Sequence, residues 1–236
     1  LMSPRPENRG SAKPFLNGGS PSDAETEQPN PAFFRDRVDA AVKKGFELDL
    51  VTDLVLGGTA GEQVATKQGY LEYVAARYGA YPNVWFTVGQ EWNEQVSAAH
   101  QKDIGTKLRA LLPYPSPIST HATGRWDPAL NGPWASHSIR QLKEEVLGIA
   151  ATALVQDYAN NGGKPCVNDE NGYDPNEATT PDVIEGVTGS FFGAGYGTTG
   201  HKTASKEGGY YWGHAVLGKS IAEHPSAPSL GFLRKK

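Results

Sequence analysis

Two segments of this chain bring together residue types that can do acid–base and nucleophilic chemistry. One is Val84-Trp85-Phe86-Thr87-Val88-Gly89-Gln90-Glu91-Trp92-Asn93-Glu94, and the other is Lys164-Pro165-Cys166-Val167-Asn168-Asp169-Glu170-Asn171-Gly172-Tyr173. Each is a short apolar run that ends in a Glu flanked by amides and an aromatic. Such a run reads as a buried strand, and a carboxylate at its exit lies at the edge of the core, where its pKa can be tuned. Paired carboxyls of this kind are what glycosidic bond cleavage needs: in the retaining case one is held protonated and one ionised, roughly 5 Å apart. An apolar, aromatic setting raises the pKa of the acid, and hydrogen-bond donors keep the nucleophile ionised. Taken singly, either Glu is more readily a surface carboxylate, because exposure is the default state of Glu. Taken together, with amides beside each, they point to catalysis.

Other side chains have two readings each. His121 at a strand end contacts a sugar hydroxyl or Glu170, or is a hydrogen-bonded structural histidine. Trp92, Trp126, Tyr173 and Trp212 stack on sugar faces or simply pack. Asn93 orients Glu91 or caps the next helix. Trp85 reads as core, and Cys166, inside a buried strand, as a structural thiol. Gly195 to Thr203 resembles a phosphate loop, but His201 stands where the motif needs Gly before its Lys. Asp169-Glu170-Asn171-Gly172 lacks the spacing of a calcium loop, and Pro175 intrudes. The 6 histidines include no His-x-x-x-His pair, so neither a metal nor another cofactor is expected.

Elements that position these residues follow from periodicity. Helices are expected over 32–45, with Gly45 as C-cap, 63–78, 100–112, 142–160, 181–187 and 208–223. Strands are expected over 46–51, 84–89, 115–121, 135–139, 165–169 and 190–196. Residues 4–31, rich in Pro, Gly, Ser and Asn, read as a long loop. Strands alternating with helices predict an α/β fold with a parallel sheet, and about six strand–helix units predict most of a (β/α)8 TIM barrel. In such a barrel the active site collects at the C-terminal strand ends, where Glu91, His121 and Glu170 fall.

Bulk properties narrow the partners. The 236 residues allow one domain of barrel size, with 28 Gly and 17 Pro suited to many loops. A net charge of −4 and no basic block beyond Arg234-Lys235-Lys236 argue against nucleic acid or an anionic membrane surface. No apolar stretch is long enough for a transmembrane helix, and Leu1-Met2-Ser3-Pro4-Arg5-Pro6 lacks the apolar core of a signal peptide.

Gly89-Gln90-Glu91 after Asn-Val-Trp-Phe resembles the fourth-strand motif of the retaining (β/α)8-barrel glycoside hydrolases, usually Gly-Asn-Glu. Lys164-Pro165 through Glu170 resembles the seventh-strand motif of that clan. The resemblance implies Glu91 as acid/base and Glu170 as nucleophile, acting on O-glycosidic bonds of a poly- or oligosaccharide. Gln90, one methylene longer than the usual Asn, would stand where the clan contacts the sugar 2-hydroxyl. Arg77 to Asn83, Ser119-Thr120-His121 and Gly195 to Thr203 are similar to a bacterial, apiosidase-like branch, often joined to a domain assigned to collagen binding. The resemblance covers residues 30–233 or so and implies an extracellular or periplasmic protein. On this numbering strand 84–89 is the fourth and 165–169 the seventh. The expectation is therefore one catalytic domain over 1–236 that holds about strands 3 to 8, with strand two at most as Leu1-Met2-Ser3. The full-length protein would add N-terminal strands, with or without a C-terminal β-sandwich. A barrel with two open edges predicts low stability. A non-catalytic carbohydrate-binding barrel and a structural or partner-binding module stay open as alternatives.

Overall fold

The computed structural model describes residues 15, 28–57, 68–94, 96–141, 146–175, 178–197, 200–202, 226 and 228–229, with backbone alone at 68, 173–175 and 200–202. The chain divides into two compact units, Leu1–Ala122 with Asp127–His137, and Thr123–Trp126 with Ser138–Lys236.

The first unit is built on three parallel strands, β1 (Thr52–Val55), β2 (Val84–Thr87) and β3 (Ile118–Ser119), with β2 in the centre. Thr52 pairs with Val84 and Phe86 with Ile118. Leu54, Val84, Phe86 and Ile118 are buried, as expected of parallel strands covered by helices. Those helices are α1 (Pro31–Phe33), which runs through a π-helical stretch Phe34–Asp39 into α2 (Ala40–Glu47), then α3 (Gln68–Tyr78) and α4 (Ala98–Leu111). The cap of α4 is Ser97, whose hydroxyl accepts from His100 N–H at 3.2 Å. Asp39 joins the π-helical stretch to α3: it accepts from Arg77 at 2.6 and 2.9 Å and from the Tyr78 hydroxyl at 2.9 Å. Arg109 on α4 pins the following loop through the carbonyls of Ser116 (2.8 Å) and Trp134 (3.1 Å).

The expected strand 46–51 is not one. The helix passes Gly45, runs to Glu47 and closes in a Schellman motif, with Leu50 N–H on Gly45 O at 2.8 Å and Asp49 N–H on Phe46 O at 3.2 Å. Asp49 takes the left-handed position (φ +55) that the sequence reading reserved for a glycine. Phe46, Leu48, Leu50 and Val51 are consequently exposed, and the strand starts at Thr52.

In the second unit β5 (Ser138–Gln141), β6 (Cys166–Asn168) and β8 (Tyr196–Gly197) are parallel, with β6 between the others. The sheet order is β4-β5-β6-β8, β4 (His121–Thr123) entering through Gly124 N–H on Gln141 O at 3.0 Å. A separate parallel pair joins β7 (Tyr173–Pro175) to β9 (Gly200–Lys202). Helices α5 (Leu147–Asn160) and α6 (Thr180–Phe192) pack closely. A Cβ on Gly193 would lie 2.6 Å from Ala151 O and 2.8 Å from Leu154 Cβ, so only glycine lets the helices approach there. Asn161 and Ser138 surround the Cys166 thiol, and burial pushes its pKa up, as a structural thiol requires.

The expected strand 190–196 is corrected too. Its first residues are the last turn of α6, which a Thr179–Asp182 capping box starts and which ends at Phe192. Ala194 (φ +59) makes the turn, and the strand is Tyr196–Gly197 alone. The remaining expected strands survive with shifted bounds: 115–121 becomes β3 and β4 with Thr120 between them, and 135–139 becomes Ser138–Gln141. Helix positions 63–67 and 142–145, and the expected closing helix 208–223 with Trp212, lie outside the described residues. No helix among the described residues is long and apolar enough to cross a membrane.

Candidate active site

Glu91 lies four residues beyond the central strand of the first unit, in a turn that leads into the 3-10 helix Trp92–Glu94. It is partly exposed, and its backbone is left-handed, with φ +48. For a residue with a Cβ this conformation costs on the order of 1 kcal/mol or more, so the surroundings must impose it. They do so group by group. Gly89 O accepts His121 N–H at 2.9 Å, Gln90 N–H reaches Gly57 O at 3.1 Å, and Glu94 N–H returns to Glu91 O at 3.1 Å. Glu91 N–H itself donates to Nδ1 of His121 at 3.3 Å. An imidazole that accepts at Nδ1 carries its proton on Nε2, so His121, fully buried, holds the Glu91 main chain as a neutral ring.

Around this turn Trp92 is 5% exposed, and Asn93 is exposed on the 3-10 helix. Trp85 packs against His137 with the rings tilted and their centroids 5.0 Å apart, and His137 also bonds Ser136 Oγ at 2.8 Å. Burial drives the His137 pKa down to about 4, so this second imidazole is also neutral near pH 7.

Glu170 lies two residues beyond β6, an interior strand of the second unit, and is buried, 8% exposed, within a run of four buried polar residues, Asn168, Asp169, Glu170 and Asn171. Asn168 Nδ2 donates to Asn171 Oδ1 at 2.8 Å and clips the run across its own turn. Asp169 N–H donates to Arg140 O at 3.3 Å. Gly172, at φ +105, then redirects the chain. On the strand beside β6, Arg140 forms an ion pair at 2.9 Å with Asp157 on α5, with side chains 2% and 1% exposed. Burial raises the Asp157 pKa, against the pull of Arg140 and of the Trp126 N–H. Trp126 itself is 3% exposed.

The expected residues thus fall into two groups by unit. Gln90, Glu91, Trp92, Asn93 and His121 share the first, and Trp126, Glu170 and the Tyr173 backbone belong to the second. Residues that sequence reasoning passed over are Gln101, Arg140 and Asp157. Arg140 carried a signal, a charged residue inside Ser-Ile-Arg on an expected strand edge; Gln101 on an amphipathic helix carried none.

The parallel sheets and their covering helices match known structures in fold. A glycoside hydrolase family 5 protein from Bacteroides vulgatus superposes with a TM-score of 0.66 at 16% identity, over 85% of this chain and 52% of that one. Another glycoside hydrolase gives 0.67 at 19% identity, over 86% and 54%. A second Bacteroides vulgatus protein, described as a candidate glycoside hydrolase, gives 0.66 at 20% identity, over 87% and 44%. The chain spans about half the length of these structures. The fold is that of the glycoside hydrolase TIM barrels, of which the described strands make up a part. The profile of the apiosidase-like catalytic domain matches residues 2–199, and the chain belongs to that family. Among curated protein sequences none matches this chain.

Proposed function

We propose that this chain is the catalytic part of a retaining O-glycosidase, with Glu91 as acid/base and Glu170 as nucleophile. The carrying observation is that each Glu follows an interior strand of its sheet, β2 or β6, in a chain of the apiosidase-like family. A Glu170 oxygen attacks the anomeric carbon as the bond to the leaving oxygen breaks, and the Glu91 proton goes to that oxygen. Glu91 then takes a proton from water, the water oxygen attacks the anomeric carbon, and the ester bond to Glu170 breaks. Gln90, Asn93 and Tyr173 are the proposed substrate contacts, while His121, fully buried against the Glu91 main chain, is not among them, and the family name makes apiosides the first substrates to try. The family resemblance supports the further proposal that the whole protein is extracellular or periplasmic, with a poly- or oligosaccharide as its partner.

The test is a 4-nitrophenyl apioside and a 2-deoxy-2-fluoro glycoside trap. Glu170→Gln should lose turnover by about 10⁴-fold or more, and the trap should add its mass to the peptide holding Glu170. Azide should restore turnover of Glu91→Ala on the nitrophenyl substrate and leave Glu170→Gln inactive. Full activity of Glu170→Gln would sink the assignment. Gln90 in place of the clan's Asn favours a second reading, a sugar-binding barrel without hydrolysis. Sugar binding equal in wild type and in both Glu variants, with no turnover in any, would support that reading instead.

A further inference from the structure

Gly89 ends the segment that delivers Glu91, and its carbonyl is held twice. His121 N–H donates to it at 2.9 Å and Thr120 Oγ1 at 3.2 Å. Thr120 Oγ1 also lies 2.9 Å from the Gln101 side-chain oxygen. A hydroxyl has one proton and cannot donate to both acceptors. Turning the Gln101 amide end for end resolves the conflict: Nε2–H donates to Thr120 Oγ1, whose proton then goes to Gly89 O. Both side chains are buried. The Gln101 amide also sits against the Gly89 Cα, 2.9 to 3.1 Å from where a Cβ would be, so Gly89 is shaped to receive it. Gln101 comes from α4 and Thr120 from the break between β3 and β4, so two elements converge on one peptide group.

We propose that Gln101 and Thr120 are positioning residues for Glu91: the relay Gln101–Thr120–Gly89 fixes the peptide plane before the left-handed turn, and so the direction in which the Glu91 side chain leaves the backbone. This rests on Glu91 being the acid/base. Neither residue touches substrate. Their effect is confined to the two steps in which Glu91 gives or takes a proton, and kcat/KM reads the first of these alone.

The leaving group separates this role from mere support of the fold. A 2,4-dinitrophenyl leaving group departs without protonation, whereas phenyl needs the acid. On phenyl and 2,4-dinitrophenyl apiosides, kcat/KM reports formation of the glycosyl-enzyme. Thr120→Val and Gln101→Met should each lose about 10- to 100-fold on the phenyl substrate through kcat, with KM unchanged. On the dinitrophenyl substrate both should stay within about threefold of wild type. Thr120→Ser, which keeps the hydroxyl, should restore the phenyl activity. Equal losses on both substrates, or no loss, would overturn the proposal. Glu91→Gln on the same pair tells the two readings apart. If its loss depends on the leaving group and that of Thr120→Val does not, positioning alone is wrong. If its loss does not depend on it, the acid/base assignment fails and the proposal falls with it. Where Thr120→Val folds poorly in a thermal melt, Gln101→Met carries the test.

Discussion

Glu91 bears its own backbone strain, at φ +48, and is held by groups from residues 57, 94 and 121. Glu170 is placed with negative φ from 168 to 171, a local Asn168–Asn171 clip, and the left-handed angle passed two residues on to Gly172. One carboxylate is partly exposed and aimed by a scaffold; the other is buried in a polar run of its own. The difference suits the two duties proposed for them. A group that trades protons with the leaving oxygen and with water needs access and a fixed approach. A group that forms one bond to carbon needs a seat that does not move.

The comparison can be broken first at the buried ion pair of the second unit. Arg140→Met leaves the buried Asp157 carboxylate without its cation, and chemical denaturation should show about 3–5 kcal/mol lost. The double variant Arg140→Met, Asp157→Leu should recover most of it; a single-variant loss below 1 kcal/mol would mean that the pair does not stabilise the unit that carries Glu170.

Acid should act on the Glu91 side. The folded His137 pKa lies near 4, below the ordinary 6.5, so the unfolded chain binds the proton first. Stability contributed by the neutral ring is present above pH 6.5 and is lost as pH falls toward 4, by roughly 2–3 kcal/mol. Asp39 is depressed as well: burial opposes its ionisation, but the bonds from Arg77 and Tyr78 outweigh it, so its loss comes at still lower pH. Asp157, raised by burial, works in the opposite sense. Denaturant midpoints at pH 7 and 4.5 should therefore converge in His137→Gln; an undiminished acid slope would assign the effect elsewhere.

Two mirror-image substitutions sharpen the contrast in strain. Gly172→Ala should lower stability by about 1–2 kcal/mol, because φ +105 admits no Cβ without strain. Glu91→Gly should raise it by about 1 kcal/mol while removing activity, since the strain is located at that residue. A Glu91→Gly melt below wild type would show that the carboxylate also stabilises its turn. The smallest effect is expected at Ala194→Gly, about 0.5 kcal/mol of gain, as a control in a left-handed position far from any proposed chemistry in the sequence.

Much of this was readable in the chain itself. The strands before Glu91 and Glu170 were plain because parallel, doubly covered strands are continuous apolar runs. Helices α3, α4 and α5 were plain from their three- and four-residue spacing. Two strands were misread for one reason: Phe46 to Val51 and Phe191 to Tyr196 look like short buried runs, yet both are helix ends whose turn is made by Asp49 and Ala194 rather than by the nearby glycines. Gly193 was needed elsewhere, for the contact with α5, and that demand is invisible without the neighbouring helix. The Glu91 motif was legible as residue types. Its left-handed φ and the Gln101 relay were not, because they arise from residues 10 to 34 positions away meeting in space.

The π-helical stretch Phe34–Asp39 has a consequence for insertions and deletions. A π turn holds more residues than an α turn, so the helix carries a built-in offset between its two ends. Removing one residue there would restore uniform α-helical bonding and raise local helix quality. The same partners would then bond across an ordinary α turn, so Phe33 on one side and Val42 on the other would keep facing the same core. The irregular turn works as a length adjuster, and it is the place in this helix where the loss of one residue should be tolerated best.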